Sequence, residues 1–338
     1  MYLVFRLDVE DDDGQLYYIS LERVSVLDRA LETLKIGDRD GDPELYHSVL
    51  VRPYLNCLPS DSEELLTIVR RDLLVPWSGE QYNFSVPVQE LDITSLQGEV
   101  GQPKEVDDLV YGGKLKNGFF IEAGAFNFET NSDSLYFELS HNWTGLLVEP
   151  HPLAFHQGVS KHRRVTSVRT CLSTTGQVHT AHFDLSGSVR NETAREAMSG
   201  LVHEANTHTA EMQCLPLYTL LLALGNPTVH YFSLDIEGAE FQERLNIFRK
   251  NLKNCLITYP WFQVLQTIPW GELDIWVISV ETHLAGLVFP GSREEIVKYM
   301  DSVGYRLVNW TEEEMRKDDL FVRKDIELRG SGVSREEL

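Results

Sequence analysis

From about Lys116 onward, short apolar runs alternate with amphipathic stretches, the pattern of βαβ units that build a parallel sheet covered by helices. Residues 118–122 read as a buried strand broken by Gly124, and Leu135, Tyr136 and Leu139 stand at helical spacing within the following stretch, 132–140. Residues 145–149 give a second strand, ended by Pro150 and Pro152, and a helix is predicted over 153–161. A third strand covers 165–172, and 178–183 is a further extended piece before a polar loop rich in Ser, Gly and Glu. Residues 215–224 form a helix stopped by Gly225 and Pro227. Residues 229–234 form a strand that runs into Asp235-Ile236-Glu237-Gly238-Ala239-Glu240. Beyond an irregular segment come a strand at 275–280, a helix at 293–302, and strands at 305–309 and 320–323. The expectation is an α/β fold: a mostly parallel central sheet with helices on both faces.

The first sixty residues read differently. They alternate near 16–22, suggest a helix near 26–34 and turn through acids at 38–42, so 1–60 is set apart as an appendage. An amphipathic helix at 63–73 and a loop-like span at 78–104 make 61–115 a lead-in, 116–325 the main domain and 326–338 a polar tail. No internal repeat is visible.

Composition narrows the function classes. With 338 residues and 42% hydrophobic content the chain can bury a large core. Its formal charge of -22, from 52 acids against 30 bases, repels a phosphate backbone, and no basic patch is segregated, which excludes nucleic acid as a partner. The acid run Glu10 to Asp13 reads as a solvated turn. Cys57, Cys171, Cys214 and Cys255 form no CxxC pair and no HExxH is present, so no metal site is expected. Cys171 and Cys214 lie beside predicted element edges and either meet as a cystine or stay as buried free thiols, the commoner outcome. Residues 1–9 carry Arg6 and Asp8 with no signal-peptide core, and no stretch reaches about 18 uninterrupted apolar residues, so the chain as written reads as soluble. Asn-X-Ser/Thr triplets at Asn83, Asn142, Asn191 and Asn309 exceed the roughly two expected by chance and lean weakly towards a secretory compartment.

In an open α/β sheet, ligands bind outside the carboxyl ends of the strands, where strand order reverses. Three places qualify. After Glu122, Gly124 and Ala125 let the backbone approach a ligand. Glu149, ending the next strand, can accept from a ribose diol, at about 1.5–3 kcal/mol for each charge-assisted bond. The third is the turn holding Asp235, Glu237 and Glu240. Glu122-Ala-Gly-Ala-Phe-Asn127 lacks GxGxxG, which argues against a dinucleotide. Acids suit the cationic methionine end of S-adenosylmethionine (SAM) better than they suit phosphates.

The runs GFFIEAGAFNFETNSDSLYFE, WTGLLVEPHP, CLST, CLPLYTLLLALG, YFSLDIEGAEFQ, TIPWGELDIWVISVE and GYRLVN, over roughly Ser62 to Lys324, resemble the FkbM-type methyltransferases, and within them the animal Star-like branch. That resemblance implies a Rossmann-like, SAM-dependent methyltransferase fold with SAM as small-molecule cofactor and O-methyl transfer to an unknown hydroxyl acceptor. For the Star-like branch it implies trafficking of epidermal growth factor receptor ligands through the endoplasmic reticulum and endosomes, usually from a membrane-anchored chain, with protein cargo of the secretory pathway as partner. Carried over by position, Glu122, Gly124 and Ala125 match the cofactor loop and Glu149 the ribose acid. Asp235, Glu237 and Glu240 match the acidic motif after the fourth strand, with Asp235 as catalytic proton acceptor.

Two departures stand out. Where relatives have GAxDGExxSN, the loop's second glycine is replaced by Phe128. A left-handed backbone there costs a bulky residue roughly 1–2 kcal/mol, about tenfold in binding. Residues 243–263 interrupt a run that is continuous in relatives; they are a loop or, as slightly favoured, an intron carried into the coding sequence.

Overall fold

A computed structural model describes residues 6–10, 16–20, 54–91, 96, 98, 101–184, 201–202, 209–236, 260–282, 293–308 and 318–329. The chain divides into two compact units, 1–50 and 51–338. In the first, β1 (Arg6–Glu10) and β2 (Leu16–Ser20) pair antiparallel with Arg6 opposite Ser20. The helix expected near 26–34 and the acidic turn at 38–42 lie outside the described residues.

The second unit is built on an eight-stranded sheet. Its strands are β3 (Leu74–Val75), β4 (Phe119–Ala123), β5 (Thr144–Val148), β6 (Thr166–Val168), β11 (Val229–Leu234), β12 (Ile275–Val280), β13 (Tyr305–Val308) and β14 (Asp319–Arg323). They lie in the order β13-β14-β12-β11-β4-β5-β6-β3. The four pairings from β12 to β6 are parallel, whereas β14 is antiparallel to both β12 and β13, and β3 is antiparallel to β6. The sheet is therefore mixed, which corrects the mostly parallel expectation. The reason is connection length: a parallel return needs a crossover of roughly a dozen residues or more, usually helical, and the short link from β13 to β14 allows only a reversal.

Strand alternation sends two cores to opposite faces of this sheet. Ile121, Ala123, Leu146, Val148, Phe232, Leu234, Ile278 and Val280 join one core. Against it pack α1 (Glu63–Ile68), α5 (Leu217–Ala223), α6 (Pro260–Thr267) and α7 (Arg293–Ser302). Phe120, Leu147, Tyr231, Val277, Leu320 and Val322 join the other, covered by α2 (Gln102–Val106), α3 (Leu135–His141) and α4 (Pro152–Val159). Local chemistry sets the helix ends. Ser62 Oγ accepts from Leu65 N and Glu63 and Glu64 occupy the first turn of α1, where a carboxylate favours the helix dipole. Helix α4 starts on Pro152 with His151 as its cap, and α3 ends on Asn142 at φ +56°, a conformation Asn tolerates better than most residues.

A smaller four-stranded sheet holds β7 (Cys171–Leu172), β8 (His179–Asp184), β9 (Leu201–Val202) and β10 (Thr209–Leu215) in the order β7-β10-β8-β9. The strand predicted over 165–172 thus splits at Arg169 and Thr170, its first half joining the large sheet and its second the small one. Cys171 and Cys214 face each other across the parallel β7–β10 pair and form a disulfide, so the free-thiol expectation is corrected: register in two neighbouring strands brings them together. Of the inserted residues 243–263, 260–263 form the first turn of α6, whose Val264 and Leu265 are fully buried; 243–259 lie outside the described residues. Among the described residues no helix is long and apolar enough to cross a membrane.

Candidate functional site

From β4 the chain moves outward through β5 and β6 and later returns with β11 on the opposite side of β4. Strand order reverses there, and the carboxyl ends of β4 and β11 bracket the crevice where such sheets take ligands. Gly124 follows β4 directly with φ +89°, and a Cβ on it would lie 1.6 Å from the Asp235 carbonyl oxygen. Asp235 N in turn donates to Ala123 O at 3.1 Å. The absent side chain at Gly124 therefore makes room first for the chain's own neighbouring strand. Ala125 is buried, and its N–H shares the Val148 carbonyl with that of Gly124.

Glu149 stands at the same edge, one residue beyond β5. One carboxylate oxygen accepts from Phe126 N at 2.8 Å and the other from His151 N at 2.7 Å. The buried acid thus staples the loop after β4 to the start of α4. Within that loop Gly124, Phe126, Phe128 and Asn131 all have positive φ, and Asn127 Oδ1 accepts from both Glu129 N and Thr130 N, a local turn that Asn supports. Phe128 does occupy a left-handed backbone position, at φ +62°. Its ring leaves the crevice altogether: it is buried edge-on to Phe155, 5.8 Å between centroids, in a notch left by Gly158, where a Cβ would come within 2.5 Å of it.

Glu122 points the other way from this edge, under the loop. Its carboxylate accepts from Ser132 Oγ at 2.8 Å, from Asp133 N at 3.1 Å, and from both the N–H and the hydroxyl of Ser134. Beneath it Arg163 is fully buried, paired to Glu138 at 2.7 Å and 3.9 Å from Glu122. The same guanidinium donates to Phe128 O, Ser132 Oγ and Ser134 Oγ. A buried charge is tolerated only when paired and hydrogen-bonded, and here the pairing moulds the loop. Across the sheet Ser233 stands opposite Glu122 and Ser279 opposite Ser233; Ser233 donates to Asp133 at 2.7 Å and Ser279 to Asp318 at 3.1 Å. Burial, with Asp133 adding, pushes the Tyr231 phenol well above its ordinary value, so this side chain stays protonated.

Sequence reasoning missed Arg163, Glu138, Ser132, Ser134 and Ser233. Arg163 lies after a predicted helix in no periodic pattern, and only its depth in the fold marks it. Asp133 bridges β11 to the loop through Ser233. Asp235 lies at the end of β11 beside Gly124, partly exposed; Glu237 and Glu240 lie outside the described residues.

Two of the three strands around the reversal are thus followed directly by an acid, Glu149 after β5 and Asp235 after β11, while Glu122 lies within β4 and is taken up by the loop. Glu281 follows β12, its N–H directed at Leu234 O. Of the cations nearby, Arg163 is enclosed by its partners and Arg293 is held bidentate by Asp319 at 2.6 Å on both arms. Among the described residues, Glu149, Asp235 and Glu281 stand at this edge, and acids repel phosphate and attract a cationic ligand. Among the described residues no group of His, Cys, Asp and Glu is arranged to hold a metal.

The family model for the methyltransferase FkbM domain matches residues 122–307, more than half of the chain. The chain belongs to the FkbM methyltransferase family. The matched span opens on Glu122 and closes on Leu307 in β13, so the match takes in the last two residues of β4, all of β5 and β11, and the loop from Gly124 to Ser134. Neither curated proteins nor solved structures yield a match. FkbM-type methyltransferases generally use SAM, and a methyltransferase domain implies a small-molecule cofactor and a substrate.

Proposed function

We propose that this FkbM domain binds SAM across the carboxyl ends of β4, β5 and β11 and promotes transfer of its methyl group to a hydroxyl oxygen of an acceptor. The observation that carries this reading is the pair of acids, Glu149 and Asp235, that directly follow β5 and β11 on either side of β4 and Gly124, where strand order reverses. When bound, SAM supplies a sulfonium methyl carbon open to in-line attack by oxygen. Glu149, held by the backbone N–H groups of Phe126 and His151 directly beyond β5, would hold the ribose diol. Gly124 and Ala125 present backbone at the crevice floor. Asp235 would take the proton from the acceptor hydroxyl, and Glu237, outside the described residues, is carried over by position as a further cofactor-binding acid. Glu122 acts at one remove, by holding the loop through Ser132 and Ser134. Most of the rate then comes from holding the two reacting atoms in line.

Calorimetric titration of the folded chain with SAM tests the reading. Binding should be measurable, and Glu149→Ala should weaken it roughly ten- to a hundredfold. Because Glu149 also holds Phe126 and His151, the variant's thermal stability is measured alongside. No heat of binding from the folded wild type at millimolar SAM removes the enzyme reading.

A second reading is a Star-like factor that keeps the fold for its shape and handles protein cargo, ligands of the epidermal growth factor receptor, in the secretory and endosomal pathway. Phe128 favours it, since a bulky residue in a left-handed position of the cofactor loop is a cost that a working nucleoside site has reason to avoid. Cargo bound by a chain that ignores SAM would decide for this alternative.

A further inference from the structure

The edge of the sheet opposite the crevice carries two features with no part in methyl transfer. Asn83-Phe84-Ser85 and Asn142-Trp143-Thr144 are both glycosylation-type triplets, and both asparagines are exposed. Asn142 precedes β5 and Asn83 pairs with the end of α4, its N–H donating to Lys161 O. Each therefore lies towards the amino ends of the strands. Arg164 stands between them, its Nη1 donating to Asn142 Oδ1 at 2.8 Å and its Nε to the Tyr82 hydroxyl at 2.5 Å. Asn142 Nδ2 donates to Asn117 Oδ1 at 2.6 Å, and Asn83 Nδ2 to Ser160 O at 3.1 Å. A carboxamide nitrogen carries two hydrogens, and each of these bonds uses one.

The disulfide supplies the independent observation. Cys171 leaves the large sheet just after β6 and Cys214 sits where β10 returns to α5, so the bridge closes the neck of the excursion that carries the small sheet. Cystines of this structural kind persist in oxidising compartments and are rare where glutathione keeps thiols reduced. That is also the environment in which Asn-X-Ser/Thr triplets are modified.

We propose that Asn83 and Asn142 are N-glycan acceptors of a domain that matures in an oxidising secretory compartment. With a lipid-linked oligosaccharide diphosphate as donor, a bond forms between Nδ2 and C1 of the first sugar, the C1–oxygen bond to the diphosphate breaks, and the lipid diphosphate leaves as the amide loses one proton. The remaining Nδ2 hydrogen keeps the bond to Asn117 or to Ser160. Both glycans project from the edge opposite Gly124, Glu149 and Asp235 and leave the crevice open. The inference is independent of whether SAM binds.

The test uses the full chain purified from animal cells expressing its natural transcript. Alkylation without reductant is expected to leave Cys171 and Cys214 unlabelled, and alkylation after reduction to label both. Peptide N-glycosidase digestion in oxygen-18 water is expected to leave labelled aspartate at positions 83 and 142. Ser85→Ala and Thr144→Val keep the asparagines and should each remove one glycan step on a gel. Unmodified asparagine at both positions overturns the proposal, and at one position it removes that site. Label that persists at 142 in Thr144→Val signals deamidation and counts against that site, while ready alkylation of Cys171 and Cys214 without reductant overturns the oxidising compartment.

Discussion

At Phe128 two costs oppose each other in one side chain. A left-handed backbone at a bulky residue costs roughly 1–2 kcal/mol, while emptying a buried phenyl site costs about 3–5 kcal/mol. Phe128 has φ +62° and its ring fills the notch at Gly158. Phe128→Gly relieves the first and incurs the second, so we expect a net loss of about 2 kcal/mol, read as a lower urea midpoint at unchanged slope. A more stable variant would mean that the ring does not anchor the loop. The notch gives a check by coupling: Gly158→Ala drives a methyl to within 2.5 Å of the ring, so it should destabilise the wild type and cost much less in a Phe128→Ala background. At Gly124 the outcome is starker. There the colliding atom is the Asp235 carbonyl, backbone directly beyond β11, and Gly124→Ala has no soft neighbour to displace.

Among the elements, the disulfide sets the clearest expectation. It closes a loop with a sequence separation of 43, for which the chain-entropy account gives about 4 kcal/mol. Replacing both cysteines by alanine should lower the denaturant midpoint accordingly; an unchanged midpoint would show that the small sheet is held by its other contacts. How far the elements were legible depended on where their burial comes from. β11, β12 and α7 match their expected spans because continuous apolar runs or strong amphipathicity mark them. β10 was hidden: Thr209–Leu215 carries Glu211 and Gln213, and half-polar strands of a small surface sheet look like loop. Helix α2 starts at Gln102 and runs on as a wider turn through Tyr111, with Lys104, Asp107 and Asp108 masking the apolar face made by Val106, Val110 and Tyr111. Of the candidate site, the positions of Glu149 and Asp235 directly beyond β5 and β11 were legible because position along a strand is a local property. Arg163 and Ser233 were not, since their roles depend on contacts made 25 to 100 residues away.

At the scale of the whole molecule, charge and burial predict opposite responses to acid, and one histidine separates them. With a formal charge of -22, protonating carboxylates relieves self-repulsion, but most of that titration falls below about pH 5. His230 acts earlier. It sits among Tyr111, Trp143 and Trp276, and its Nδ1 accepts from Phe119 N at 3.1 Å, tying the start of β4 to β11. Burial lowers its pKa below the ordinary 6.5, with Asp274 only partly opposing. The unfolded chain therefore binds the proton more readily than the folded one, and stability rises with pH across that interval. The contribution is fully present above 6.5 and is lost as pH falls from there through the lowered folded value. His230→Asn replaces the accepting nitrogen with a carbonyl oxygen that cannot titrate. Melting temperatures taken between about pH 7 and pH 5 should fall in the wild type and fall less in the variant, the difference opening only below 6.5. Parallel curves would mean that the imidazole takes its proton inside the fold, and that the aromatic enclosure between β4, β11 and β12 is open to water.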